Sequence, residues 1–295
     1  MTWNIDQISN HLPQEVWESF LDHNLPAAMM IGIFVVCLCY PIFHRLLIKY
    51  SDPYRKLTPD AQLVVTQHSI EAVMLSLIFV PLSYLVLSTN FEDHSNSPET
   101  FKRKFQAIGS LMYIIIIMYM VELASRYQNI RPLVLVHHCC AYANSLLPTL
   151  FLTTANLRAS SLLVYFITYE AITFIGLVMY RLYPEKRLTV RIITAGIFVM
   201  GASRPIQLIW ILWSLIATWE YLVLWQAVLQ IIFAVLFTLL QLYSLTIHWS
   251  IRQRCIAMQK VQNLTKPSIT KSSDICIDLD TKDNSENEKI EHVEL

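Results

Sequence analysis

Apolar residues dominate the chain from about residue 25 to residue 250, broken only by short polar stretches, while both ends are polar. The breaks leave seven apolar stretches, near 25–47, 63–88, 107–125, 133–153, 161–183, 192–218 and 221–249. Each approaches the roughly 20 residues a helix needs to cross the hydrocarbon of a bilayer. None alternates with the period of a barrel strand, and in lipid a helix satisfies its own backbone hydrogen bonds. The pattern predicts an all-α fold, a polytopic membrane bundle of about seven transmembrane helices. It divides the chain into an N-terminal lumenal or extracellular segment (1–24), a first transmembrane helix with its loop (25–60), a six-helix transmembrane domain (61–250) and a disordered cytosolic tail (251–295).

Charge orients the bundle. Arg45, Lys49, Arg55 and Lys56 follow the first stretch, Arg126 and Arg131 the third, and Arg181, Lys186, Arg187 and Arg191 the fifth. Arg252, Arg254, Lys260 and Lys266 follow the seventh. Only Lys102, Arg103, Lys104 and Arg158 lie on the opposite side, so the split is 14 to 4. Positive charge accumulates on the cytosolic face, which predicts an N-terminus outside and a C-terminus in the cytosol. The N-terminus lacks a basic leader, and no cleaved signal is expected.

Composition narrows the picture further. The chain of 295 residues is 55% hydrophobic and 15% charged, with zero net charge. That leaves no basic footprint for nucleic acid. The six cysteines have no zinc-finger spacing and suggest no disulfide framework. Beyond about residue 261 the chain turns Ser-, Asp-, Glu- and Lys-rich, a composition that does not fold. Trp210, Trp213, Trp219, Tyr221 and Trp225 gather around the last turn as an interfacial belt.

Ionisable groups inside spans are rare and functional or paired. Here they are His68 and Glu71, Glu122, His137 and His138, Glu170, and Arg204, spread over five stretches. With the predicted orientation they fall in the cytosolic half, which predicts one polar cavity open toward the cytosol. Simpler pairings compete with that reading: His68 with Glu71 at i+3, Glu122 with Arg126 at i+4, and Glu170 with Arg204 between helices. Adjacent helix positions point about 100° apart, so His137 and His138 cannot both turn away from one set of neighbours. His138 is the better functional candidate, because Tyr142 and Ser145 follow it at i+4 and i+7. "HHCC" at 137–140 is not expected to bind zinc, because adjacent residues cannot converge on one tetrahedral ion. No metal or cofactor is expected.

Several of these segments together resemble the TLC domain, shared by ceramide synthases, translocon-associated membrane proteins and lipid-homeostasis proteins. "MYMVELASRYQNIRPLVLVHHCCAYANSLL" resembles its middle, where a His pair opens a span after a short basic loop. "VTQHSIEAVMLS", "YFITYEAITFIGLVMYRL" and "GIFVMGASRPIQL" resemble, in the same order, its first helix, its segment with a central acid, and its later helix with an Arg. The resemblance covers about 63–249. Ceramide synthases continue with an Asn-x-x-Arg-x-Gly stretch and a His-Asp-x-x-Asp stretch. This chain has "NLRAS" at 156–160, without the glycine, and "YEAIT" at 169–173, with Glu170 in place of the first acid and Thr173 in place of the second. The departures point to the branch that handles membrane lipid composition.

The resemblance thus implies an integral protein of lipid homeostasis, in the endoplasmic reticulum or else the plasma membrane, with a membrane lipid as partner. His68, Glu71, His138, Tyr142, Glu170 and Arg204 would line the lipid site. The alternative is an acyltransferase of ceramide-synthase type using acyl-CoA as substrate, with His137, His138 and Glu170 catalytic. Neither reading fixes the oligomeric state.

Overall fold

A computed structural model describes residues 25–88, 98–126, 132–150, 165–217 and 224–265. The described residues are helical and contain no strand. The helices are α1 (Leu25–Tyr50), α2 (Asp52–Arg55), α3 (Pro59–Ser88), α4 (Pro98–Ser125), α5 (Pro132–Leu150), α6 (Glu170–Leu182), α7 (Arg187–Ala217) and α8 (Leu224–Thr265).

Among them, five are long and apolar enough to cross a membrane: α1, α3, α4, α7 and α8. The fourth and fifth predicted spans differ. α5 is an apolar helix of 19 residues. α6 has only 13, because the backbone turns at Thr168 and Tyr169 just before it starts. Trp219 and Tyr221 of the aromatic belt lie outside the described residues; Trp210 and Trp213 pack edge to face, 5.5 Å apart.

The far end of the chain also differs from expectation. The first part of the tail expected from residue 251 is helical, because α8 continues without interruption to Thr265, and residues 266–295 lie outside the described residues. Its last turns are rich in Arg, Gln, Met and Lys. These residues favour helix whether or not they are apolar, so hydropathy ends where helicity does not.

Helix contacts give the topology. α3 packs on α4 and on α6, α6 on α7, α7 on α8, α8 on α5, and α5 on α4. These six helices close a ring. α1 lies outside it, against α3 and α4. Tyr54 of α2 ties α1 to α3: its hydroxyl lies 2.7 Å from His44 Nδ1 and 2.6 Å from Thr66 Oγ1. At the α6–α7 contact two glycines remove side-chain bulk. A Cβ added at Gly176 would fall 3.2 Å from Ile193 Cγ1, and one at Gly196 would fall 3.3 Å from Thr173 Oγ1. Small residues of this kind let two helix backbones come close.

Burial is inverted relative to a water-soluble protein. Gln67 and Glu71 are fully buried and Arg204 is 1% exposed, while Leu77, Val80 and Phe198 are 66%, 68% and 73% exposed. Charged side chains are almost never fully buried in globular proteins, and large apolar surfaces are not left bare. An exterior of this kind matches hydrocarbon as its solvent.

Candidate functional site

The ring helices line a cavity of about 170 Å³. All six ring helices line it, including His68 from α3, Glu122 from α4, His137 and His138 from α5, Glu170 from α6, Met200 from α7 and His248 from α8. The remaining wall is largely apolar, with Leu133, Phe174, Leu177, Leu240 and Ile247 among it. The site is a small set of polar groups held in an apolar sleeve.

Glu170 is the centre of one network. Its Oε1 accepts from Arg204 at 2.5 Å and from Gln241 Nε2 at 3.0 Å, and its Oε2 accepts from the Tyr119 hydroxyl at 2.8 Å. Arg204 also donates to Gln207 Oε1 at 2.7 Å and lies 5.8 Å from the centre of the Phe237 ring. Four helices thus meet on one carboxylate. Gln241 Nε2 also lies 3.3 Å from His137 Nε2, and the His137 ring stacks on Phe237.

Glu122 is the centre of a second network. Its Oε1 accepts from Arg126 at 2.8 Å, and its Oε2 lies 3.0 Å from His138 Nε2. The Tyr119 ring packs against the His138 ring, 5.0 Å away. A third group lies on α3. His68 Nδ1 meets Glu71 Oε2 at 2.9 Å, and Gln67 Nε2 donates to Glu71 Oε1 at 3.0 Å. The His68 ring stacks on Phe174.

Two imidazoles leave a nitrogen bare. His248 Nδ1 lies 2.7 Å from the Ser244 carbonyl, which only accepts. Its proton therefore sits on Nδ1, and Nε2, buried and without a partner, presents a lone pair. His138 directs Nε2 to the Glu122 carboxylate, which leaves Nδ1 buried and without a partner. Buried polar atoms are nearly always hydrogen-bonded, and the protein leaves these two nitrogens unsatisfied, as it does Gln67 Oε1, Arg204 Nε and Gln207 Nε2.

The expected site residues divide into three groups. His68, His137, His138 and Glu170 line the cavity. Glu71 and Arg204 stand behind it, bonded to His68 and Glu170. Tyr142 belongs elsewhere: its hydroxyl donates to the Ile116 carbonyl at 3.3 Å and it lines a separate, much smaller cavity. Its ring points along the α4 contact instead of into the site, so the shared face expected of His138 and Tyr142 does not hold. The Ser145 side chain, Asn156 and Arg158 lie outside the described residues.

The local pairs read from spacing, His68 with Glu71 and Glu122 with Arg126, are present, as is the pairing of Glu170 with Arg204. Arg204 donates to Glu170 and Gln207, its Nε is buried without a partner, and it is not among the residues that line the cavity. In "HHCC", Cys139 is exposed and Cys140 is buried against Ala141 and Phe237.

Tyr119, Gln241 and His248 were not singled out from the sequence. A signal for two of them existed. Gln241, Ser244 and His248 recur at spacings of three and four in an apolar stretch, which is the period of a polar stripe on one helix face. Among known proteins, no family model, no curated protein and no solved structure matches the chain.

Proposed function

We propose that the chain is a multi-pass membrane protein that binds or senses a membrane lipid, holding the head group in the ring cavity, and that it serves lipid homeostasis. The reading rests on one observation. A cavity with mostly apolar walls is lined by His138 and His248, and each of these residues carries one buried ring nitrogen, His138 Nδ1 and His248 Nε2, with no partner. A lipid head group carrying hydroxyl, amide or amine donors supplies what they lack, and its chains match the apolar wall. The resemblance to the TLC domain points the same way and favours the endoplasmic reticulum as the compartment, with the C-terminus in the cytosol.

Mass spectrometry of lipid co-purifying with the protein tests this. One lipid class is expected in the wild type and depleted in a His138→Ala/His248→Ala double variant that remains monodisperse. A wild type that carries only bulk lipid, in the proportions of the host membrane, refutes the reading.

A second reading, acyl transfer from acyl-CoA to an amine such as a sphingoid base, is favoured by the contact of His138 with Glu122. An imidazole oriented by a buried carboxylate suits a general base. Purified protein with acyl-CoA and a long-chain base decides it: turnover abolished by His138→Ala supports it, and no turnover at any chain length refutes it.

A further inference from the structure

We infer that His68, Glu71 and Glu122 form a binding site for one divalent first-row transition-metal ion, with zinc or manganese the best fit. A ligand atom of each lies within 4.8 Å of those of the other two. All three residues are buried: His68 is 6% exposed, Glu71 is fully buried and Glu122 is 4% exposed. Two helices supply the set, α3 with His68 and Glu71 one turn apart, and α4 with Glu122 facing them.

The charges of the group call for a cation. Two carboxylates whose oxygens are this close repel strongly once water is excluded. Arg126 donates to Glu122 Oε1. Glu71 meets the Gln67 amide, the His68 ring and the Glu122 side chain. A divalent ion among the three side chains neutralises both acids at once.

A second observation points to the same ligand. Gln67 is fully buried and its Nε2 is docked on Glu71 Oε1, yet its carbonyl oxygen has no partner. A buried, unpartnered amide oxygen on the residue next to His68 is a further neutral donor for a cation. The resulting set, one imidazole and three oxygens, mixes the ligand preferences of zinc and manganese. The surroundings also suit a metal: Glu122 is held from behind by Arg126 and His138, and outer partners of this kind orient metal ligands. Because His68 and Glu122 also line the cavity, an ion here borders the volume assigned to the lipid head group. The site stands independently of the lipid reading, since its ligands are defined without His248 or any bound lipid.

The test is metal content. Full-length protein is purified without a metal-affinity resin, stripped with chelator, incubated with Zn²⁺ or with Mn²⁺, freed of excess ion and analysed by inductively coupled plasma mass spectrometry. The expectation is roughly one ion per chain in the wild type and in Cys139→Ser/Cys140→Ser, and a loss of about tenfold or more in Glu71→Gln and in Glu122→Gln. A folded wild type that retains neither ion, or glutamine variants that retain as much as wild type, overturns the site. Co²⁺ substitution of the wild type decides the matter if the variants fail to fold. Ligand-field bands without thiolate charge transfer are expected; no such bands, or thiolate charge transfer, overturn it. Lipid content is measured on the same samples. A protein that loads metal but carries no specific lipid refutes the lipid reading and leaves the site standing, and the converse result does the reverse.

Discussion

Glu170 and Arg204 meet at 2.5 Å across 34 positions of sequence, with Arg204 1% exposed. Neither side chain is satisfied by the other alone; Tyr119 and Gln241 donate to Glu170 and Gln207 accepts from Arg204, while Arg204 Nε stays without a partner. The pair joins α6 to α7 at the wall of the cavity. Removing one partner strands a buried charge, which costs more than removing both.

Arg204→Met is therefore expected to destabilise the protein by about 3–5 kcal/mol, the range for breaking a buried pair. Adding Glu170→Gln restores part of that loss, because the amide carries no charge. Detergent-resistant melting or SDS titration of both single variants and the double variant measures the coupling. A double variant less stable than Arg204→Met, or effects that simply add, contradicts the arrangement.

Tyr54→Phe removes the hydroxyl that lies between His44 on α1 and Thr66 on α3. The expected loss is about 1–3 kcal/mol, the range for leaving a buried polar partner unsatisfied. The effect should be non-additive with His44→Ala, since both remove one contact. Full additivity in a double-mutant cycle would sink this account.

Gly196→Leu drives a side chain into Thr173, whose Cα lies 3.5 Å from the position of an added Cβ. Overpacking of this kind costs about 1–3 kcal/mol. Thr173 and Met200 both line the cavity, so the same variant should also lower retention of bound lipid. Melting and lipid content should fall together in Gly196→Leu and much less in Gly196→Ala. Unchanged melting of the leucine variant would show that α6 and α7 are not in close contact there.

The orientation proposed from the 14-to-4 distribution of Lys and Arg places the N-terminus in the lumen. Glycosylation acceptors fused to each end should be modified at the N-terminus only. Modification of the C-terminal acceptor, with the N-terminal one bare, reverses the assignment.

Hydropathy alone located the five long apolar helices, because a bilayer-length apolar run has few other uses. It does not show the turn at Thr168 and Tyr169, which lies inside the predicted fifth span just before Glu170; the hydropathy of these residues gives no warning. The polar groups were legible for the same reason that they are costly: His68, Glu71, Glu122, His137, His138, Glu170 and Arg204 stand out against an apolar background. Their partners across helices were less so. Glu170 and Glu122 were both expected within reach of the histidines, and the packing of α5 between α4 and α8 assigns Glu122 to His138. That choice depends on which helices become neighbours and in what rotation, which no single span encodes. Tyr142 failed on the same ground: spacing of four puts it near the face of His138, but the neighbour it meets is the α4 backbone.

α8 has 42 residues and contains neither glycine nor proline. At about 1.5 Å per residue it is roughly 63 Å long, about twice the ~30 Å of hydrocarbon it has to cross. Gln241, Ser244 and His248 sit on this rod, and the 17 residues from His248 to Thr265 extend it by about 26 Å. The first turns of that extension still pack: Ile251 and Cys255 are buried with Ile193, Leu177 and Tyr180, and Arg252 donates to Thr194 Oγ1 at 2.8 Å. The residues that line the cavity and those that clamp α8 to α6 and α7 beyond it thus share one unbroken helix, so neither set can slide along its axis without the other.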